Sequence, residues 1–139
     1  MSRFVCDASV ALAWCFVDER TPETDALLLQ ARDHGIGVPA LWRFEVANTL
    51  ATAIRRGRMT PEMARRALHA LDDLPVEVDH EAGERAFTDL FELARRERLT
   101  VYDASYLDLA LRSALPLATR DRALADAAAR NAHPLVLPS

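Results

Sequence analysis

Short β-rich runs alternate with longer stretches whose apolar residues recur at helical spacing, from one end of the chain to the other. That alternation is the pattern of a parallel sheet with helices on its faces. Phe4-Val5-Cys6 reads as a first strand, and Ala8 to Phe16 as a short apolar helix. Thr21-Pro22-Glu23 opens the next helix, with threonine as N-cap and proline in the first turn; it runs to His34 and stops at Gly35. Gly37-Val38-Pro39 is a brief strand, followed by a long helix from about Ala40 to Arg56 with Gly57 as its stop. Thr60-Pro61-Glu62 repeats the start signal for a helix to Asp73. Val76-Glu77-Val78 gives a third strand, about Glu81 to Arg98 one helix and Asp103 to Ser113 another. Leu117-Ala118 is a fourth strand, Asp121 to Arg130 a last helix, and Leu135-Val136-Leu137 a final strand. No repeat, low-complexity tract or Pro/Gly/Ser-rich linker divides the 139 residues, so one α/β domain over 1–139 is expected.

Composition narrows the class. Half the residues are apolar and 27% are charged, as in ordinary soluble proteins. No apolar run approaches the ~20 residues that span a bilayer. No signal-peptide core follows Arg3. A cytoplasmic location with no membrane partner is therefore expected. Cys6 and Cys15 are too few for a disulfide scaffold or a tetrahedral zinc site, and both read as packed residues in apolar runs. His34, His69, His80 and His133 are scattered without ligand spacing. The net charge is -4, and the 17 basic residues are all arginine. Such a chain lacks the basic footprint of a charge-driven nucleic-acid binder.

The acids carry the candidate chemistry. Asp7 directly follows the first strand, and Asp121 follows the fourth. In a parallel sheet both lie at the carboxyl edge, where ligands bind, although each could also simply cap the next helix. On the long helix, Glu45, Asn48, Thr49, Thr52 and Arg56 form one polar stripe on an otherwise apolar wheel. That stripe faces either solvent or a cavity. Asp103 falls on the apolar face of its helix near Leu107, Ala110 and Leu111, with Tyr106 about 60° away. Ser105, Asp108 and Arg112 lie opposite, so Asp108 reads as a solvated acid. Asp7, Glu45, Asp103 and Asp121 thus point inward or to the ligand edge, and no lysine exists to neutralise them. Converging carboxylates repel strongly where the dielectric is low. A divalent cation is the simplest compensator, and all-oxygen ligation suits Mg²⁺ or Mn²⁺, the metals of phosphoryl-transfer chemistry.

The same segments resemble a known family. Val5-Cys6-Asp7-Ala8-Ser9-Val10-Ala11-Leu12-Ala13-Trp14 is similar to the opening of PIN-domain proteins of the VapC toxin type. Phe44-Glu45-Val46-Ala47-Asn48-Thr49-Leu50 resembles that family's Glu-x-x-Asn helix. Leu99 to Leu107 resembles its third acidic motif, and Leu117 to Leu124 its fourth. The resemblance implies a sandwich with a central parallel sheet of about five strands in the order 3-2-1-4-5. It further implies an Mg²⁺- or Mn²⁺-dependent endoribonuclease, a VapB-type antitoxin partner and a homodimer. Asp7, Glu45, Asp103 and Asp121 carry over as the catalytic site, with Asp7, Asp103 and Asp121 as metal ligands. Ser9 and Thr119 match small hydroxyl residues that line such sites, and Asn48 matches an asparagine that orients the glutamate. Ala123 and Leu124 stand where some relatives have a further acid, so a full second metal site is not implied.

Other readings fit less well. A haloacid-dehalogenase-like phosphatase needs a second acid at position 9, which is Ser9, and a phospho-receiver needs a lysine. A catalytically silent PIN-like module that binds metal or RNA is the alternative. Arg43, Arg55, Arg56, Arg58, Arg120 and Arg122 lie near the motifs and would either grip RNA phosphates or form surface ion pairs. Arg95, Arg96 and Arg98 with Glu92 and Glu97 read as a surface face with a Glu92–Arg96 pair. Leu27, Leu28, Trp42, Leu50, Ile54, Ala67 and Leu71 serve either the core or a partner surface.

Overall fold

A computed structural model describes residues 3–136. Its sheet has four parallel strands, β1 (Phe4–Cys6), β2 (Ile36–Pro39), β3 (Val76–Asp79) and β4 (Leu117–Ala118), in the order β3-β2-β1-β4. This is the expected order, with its last position reduced to a single parallel bridge between Leu117 and Leu135. Leu137 of the expected final strand lies outside the described residues. Every residue of β1, β2 and β4 is buried, which requires cover on both faces.

The helices are α1 (Ala8–Cys15), α2 (Pro22–His34), α3 (Leu41–Arg55), α4 (Pro61–Asp72), α5 (Ala82–Arg85), α6 (Asp89–Glu97), α7 (Val101–Ser113) and α8 (Arg122–Arg130). The start signals work as read: Thr21 accepts from the Thr24 N–H in a reciprocal capping box, and Thr60 accepts from the Met63 N–H. Gly35 ends α2 at φ +85°, and a Cβ there would stand 2.7 Å from the Pro75 carbonyl oxygen. The core joins Phe4, Val5, Ile36, Val38 and Leu117 of the sheet to Leu50, Leu107 and Leu124 of the helices.

Two linked expectations fail around α7, and two more fail beside it. The helix expected over about Glu81 to Arg98 is broken between α5 and α6, where Thr88 departs from helical geometry (φ -125°, ψ -106°). In an unbroken helix Arg85 and Leu90 would stand about 140° apart around the axis. Arg85 must reach Asp108 on α7 while Leu90 enters the core, and the break lets both do so. Asp108 is accordingly not solvated; it is 4% exposed. Arg85 grips it with two bonds, 3.0 and 2.8 Å, and Arg112 adds a third at 2.8 Å. Arg112 also reaches Asp79 at the end of β3, at 2.7 Å. The wheel of α7 has no free polar side because α5 and α6 pack over it. Nearby, Glu92 pairs with Arg95 rather than Arg96, and Glu97 is buried under Arg96, Arg130 and Asn131.

Candidate active site

Parallel topology gathers the acids. A helix that returns between parallel strands starts at their carboxyl edge. Asp7 ends β1 and caps α1; Asp121 follows β4 and caps α8 through the Ala123 N–H. Asp103 sits in the first turn of α7, capped by Thr100, and Glu45 lies near the start of α3. All four therefore come to the same edge, beside β1 and β4, where the strand order reverses.

Asp7 is the most enclosed of them, at 5% exposure. Its Oδ1 accepts from the Ser9 hydroxyl at 2.6 Å and from the Val10 N–H at 3.2 Å, and its Oδ2 accepts from the Thr119 hydroxyl. Ser9 Oγ also accepts from the Arg120 N–H at 2.8 Å, and Thr119 Oγ1 from the Asp121 N–H at 2.9 Å. Ser9 and Thr119 therefore stitch the β1–α1 and β4–α8 connections together. Burial raises the carboxyl above the usual range, the three donors oppose that, and the Asp121 charge adds to it.

Asp103 is pushed up to about 6, first by burial and then by the charge of Asp121 and a hydrogen bond to it, with Asp7 contributing. Burial and converging like charges both favour the neutral carboxyl. Glu45 is raised by burial and by Asp103, and it accepts a hydrogen bond from the Tyr106 hydroxyl. Tyr106 is buried, and desolvation with the Glu45 bond holds its phenol firmly protonated. Among the described residues none of these four acids forms an ion pair with arginine.

The donor set is all hard oxygen: three aspartates, a glutamate and two hydroxyls. As they stand, no group of three or more His, Cys, Asp or Glu side chains among the described residues is gathered tightly enough to enclose an ion. The Ser9 and Thr119 hydroxyls occupy both oxygens of Asp7, and burial with the neighbouring acids favours the neutral form of Asp103. Divalent cations compete for these same oxygens and displace protons.

Asn48 behaves differently from expectation. It is exposed and makes no hydrogen bond to Glu45; the orienting partner is Tyr106. Tyr106 was legible only as the residue three positions after Asp103, near it on the wheel. Of the apolar residues singled out, Leu27, Trp42, Leu50 and Leu71 are buried, and Leu28, Ile54 and Ala67 are half-buried against them. The four histidines and both cysteines stay outside the site, except that the buried Cys6 directly precedes Asp7.

An α/β sheet with converging acids at its reversal point defines a class of acid-centred α/β proteins. Residues 4–130 match the model of the PIN domain. Ribonuclease VapC3 of Pyrobaculum aerophilum is 32% identical over 125 residues, 89% of this chain and 93% of the relative. A crystal structure of a Pyrobaculum aerophilum protein superposes with a TM-score of 0.69 at 28% identity, covering 91% of this chain and 79% of that one. The chain belongs to the PIN-domain family, on its VapC branch.

Proposed function

We propose that the protein is an Mg²⁺- or Mn²⁺-dependent endoribonuclease toxin, formed by one PIN domain over residues 1–139. The observation that carries this reading is the set of acids brought to the β1/β4 edge, Asp7, Glu45, Asp103 and Asp121, none of which has an arginine partner among the described residues. Asp7, Asp103 and Asp121 would hold the cation, and Glu45 would orient the attacking water. The cation supplies Lewis-acid stabilisation of the charge that develops on the phosphate. Ser9 and Thr119 fix both oxygens of Asp7. Tyr106 fixes Glu45. Phe44 and Tyr102, 78% and 65% exposed, adjoin Glu45 and Asp103 in sequence and offer rings on which bases can stack.

Neutralisation by a VapB-type antitoxin is part of the same reading. A cleft of about 430 Å³ between α3 and α4 supports it, lined by Trp42, Val46, Leu68 and Leu71 with Arg43 and Arg65 at its border. A homodimer and a cytoplasmic location complete the proposal. No helix among the described residues is long and apolar enough to cross a membrane.

The test is cleavage of RNA in Mg²⁺ by the wild type and by Asp7→Asn, with folding checked by circular dichroism. Loss of cleavage in a folded Asp7→Asn protein is expected. Undiminished cleavage removes Asp7 from the chemistry. The silent-module reading predicts no cleavage by either protein, and calorimetric titration with Mg²⁺ then shows whether a metal still binds.

A further inference from the structure

Beyond the acids, one more charged cluster touches this edge. The segment after α1 forms a short 3-10 turn, Val17–Glu19, none of whose residues is buried. Its Glu19 carboxylate stands between two arginines from distant parts of the chain. One oxygen accepts from Arg58 at 2.6 Å, just past α3; the other accepts from Arg120 at 3.2 Å, between Thr119 and Asp121. Arg58 Cζ lies over the Phe16 ring, 4.0 Å from its centroid, and the guanidinium makes a further contact with Asp18 at 3.3 Å. The Arg120 backbone N–H meanwhile holds Ser9, which holds Asp7. Arg120 is thus tied to the site through its backbone, and Arg58 meets it on the Glu19 carboxylate.

A carboxylate and a phosphodiester share one recognition chemistry. Each is a monoanion with two equivalent oxygens, and each accepts planar guanidinium donors. A pair of arginines that shares one carboxylate, oxygen by oxygen, has the spacing to share the two non-bridging oxygens of a phosphodiester. The Val17–Glu19 turn carries no buried residue and is the partner that can yield, while the Phe16 ring supports the Arg58 guanidinium and the Ser9 bond holds the Arg120 backbone. Arg120 directly precedes Asp121 and its N–H bonds to Ser9, so a phosphate at this pair lies beside the acid edge.

We propose that Arg58 and Arg120 form a binding site for a flanking RNA phosphate, and that Glu19 fills it as an internal stand-in until RNA displaces it. This rests on the ribonuclease reading and adds a contact that sets how tightly RNA is held. Glu19 is then a self-competing residue for substrate binding.

The experiment is steady-state cleavage of one short single-stranded RNA in Mg²⁺, with melting temperatures recorded for every variant. Glu19→Gln is expected to lower KM about threefold to tenfold without raising kcat, the scale of releasing two exposed ion pairs. Arg58→Gln/Arg120→Gln raises KM, and adding Glu19→Gln to that double variant changes nothing further. Glu19→Asp keeps the charge but withdraws it by one methylene, so it lowers KM by less than Glu19→Gln does. Glu23→Gln, an equal charge change outside the cluster, controls for general repulsion and leaves KM near the wild-type value. A KM unchanged or raised in both Glu19 variants overturns the proposal, as does a full Glu19→Gln effect in the absence of both arginines. RNA cleavage that ignores residue 19 refutes this inference alone. No Mg²⁺-dependent cleavage by any variant refutes the ribonuclease reading and this inference with it.

Discussion

Replacing Asp103 by asparagine removes a charge that burial and the neighbouring acids disfavour, while keeping the shape of the side chain. The displacement of its carboxyl from 3.8 to about 6 corresponds to about 3 kcal/mol between its protonated and charged forms. Asp103 is half-exposed, so roughly half of that is screened by water, leaving about 1.5 kcal/mol. The charge in the first turn of α7 also gains about 0.5 kcal/mol from the helix dipole, which asparagine forgoes. The net expectation is a stabilisation of about 1 kcal/mol in chelator at pH 8, or about 3–5 °C in Tm for a chain of this size. The pH dependence follows from the raised carboxyl. The folded protein keeps a proton that the unfolded chain releases, so Asp103 favours the fold below about pH 4 and that advantage is lost as pH rises through about 6. Wild type and variant should therefore melt alike at pH 4 and separate above pH 6. Thermal melts in EDTA at pH 4, 6 and 8 measure this, beside an RNA-cleavage assay in which the variant is expected to be inactive. A variant that gains nothing at pH 8, or gains equally at pH 4 and 8, refutes the account of the acid cluster.

Three further expectations follow from the same contacts. Mg²⁺ should raise the wild-type Tm more at pH 8 than at pH 5, because a cation must displace the Asp103 proton; equal shifts in melting scans would contradict this. Tyr106→Phe should cost about 1 kcal/mol in urea unfolding and lower kcat for RNA cleavage more than it raises KM, since Glu45 loses its orienting donor. An unaltered kcat would leave Tyr106 as packing alone. Asp108→Ala should cost about 2–3 kcal/mol, less than the loss of a fully buried pair because both guanidiniums reach solvent, and it should leave KM unchanged in the folded fraction.

The alternation of strands and helices is legible because each element carries its own signal. Thr21 and Thr60 precede proline, Gly35 ends a helix, and Asp7 and Asp121 sit where a strand becomes a helix. Parallel topology then places Asp7, Glu45, Asp103 and Asp121 at one edge without any side-chain detail. What stayed hidden depends on contacts between distant segments. A helical wheel records one helix's periodicity, so it makes Asp108 a solvated acid when α5 and α6 cover that side. The break at Thr88 arises from the demands of Arg85 and Leu90 on α7 and the core, which no local propensity encodes. Asn48 fitted a motif, yet the Glu45 partner comes from α7, 61 positions away. Nothing local in the sequence marks Glu19, because Arg58 and Arg120 reach it from segments 39 and 101 positions away.

The Thr119–Asp7 bond spans 112 positions of the chain. Its timing during synthesis matters as much as its geometry. Domains fold as they emerge, amino end first, at about 5–20 residues per second. Asp7 emerges among the earliest residues, but Thr119 and Asp121 come near the end of the 139. A nascent chain still lacking β4 can pair β1 with β2 and β3, yet it cannot assemble the acid edge. Synthesis order thus keeps the acid edge of this PIN domain unfinished until translation is nearly over.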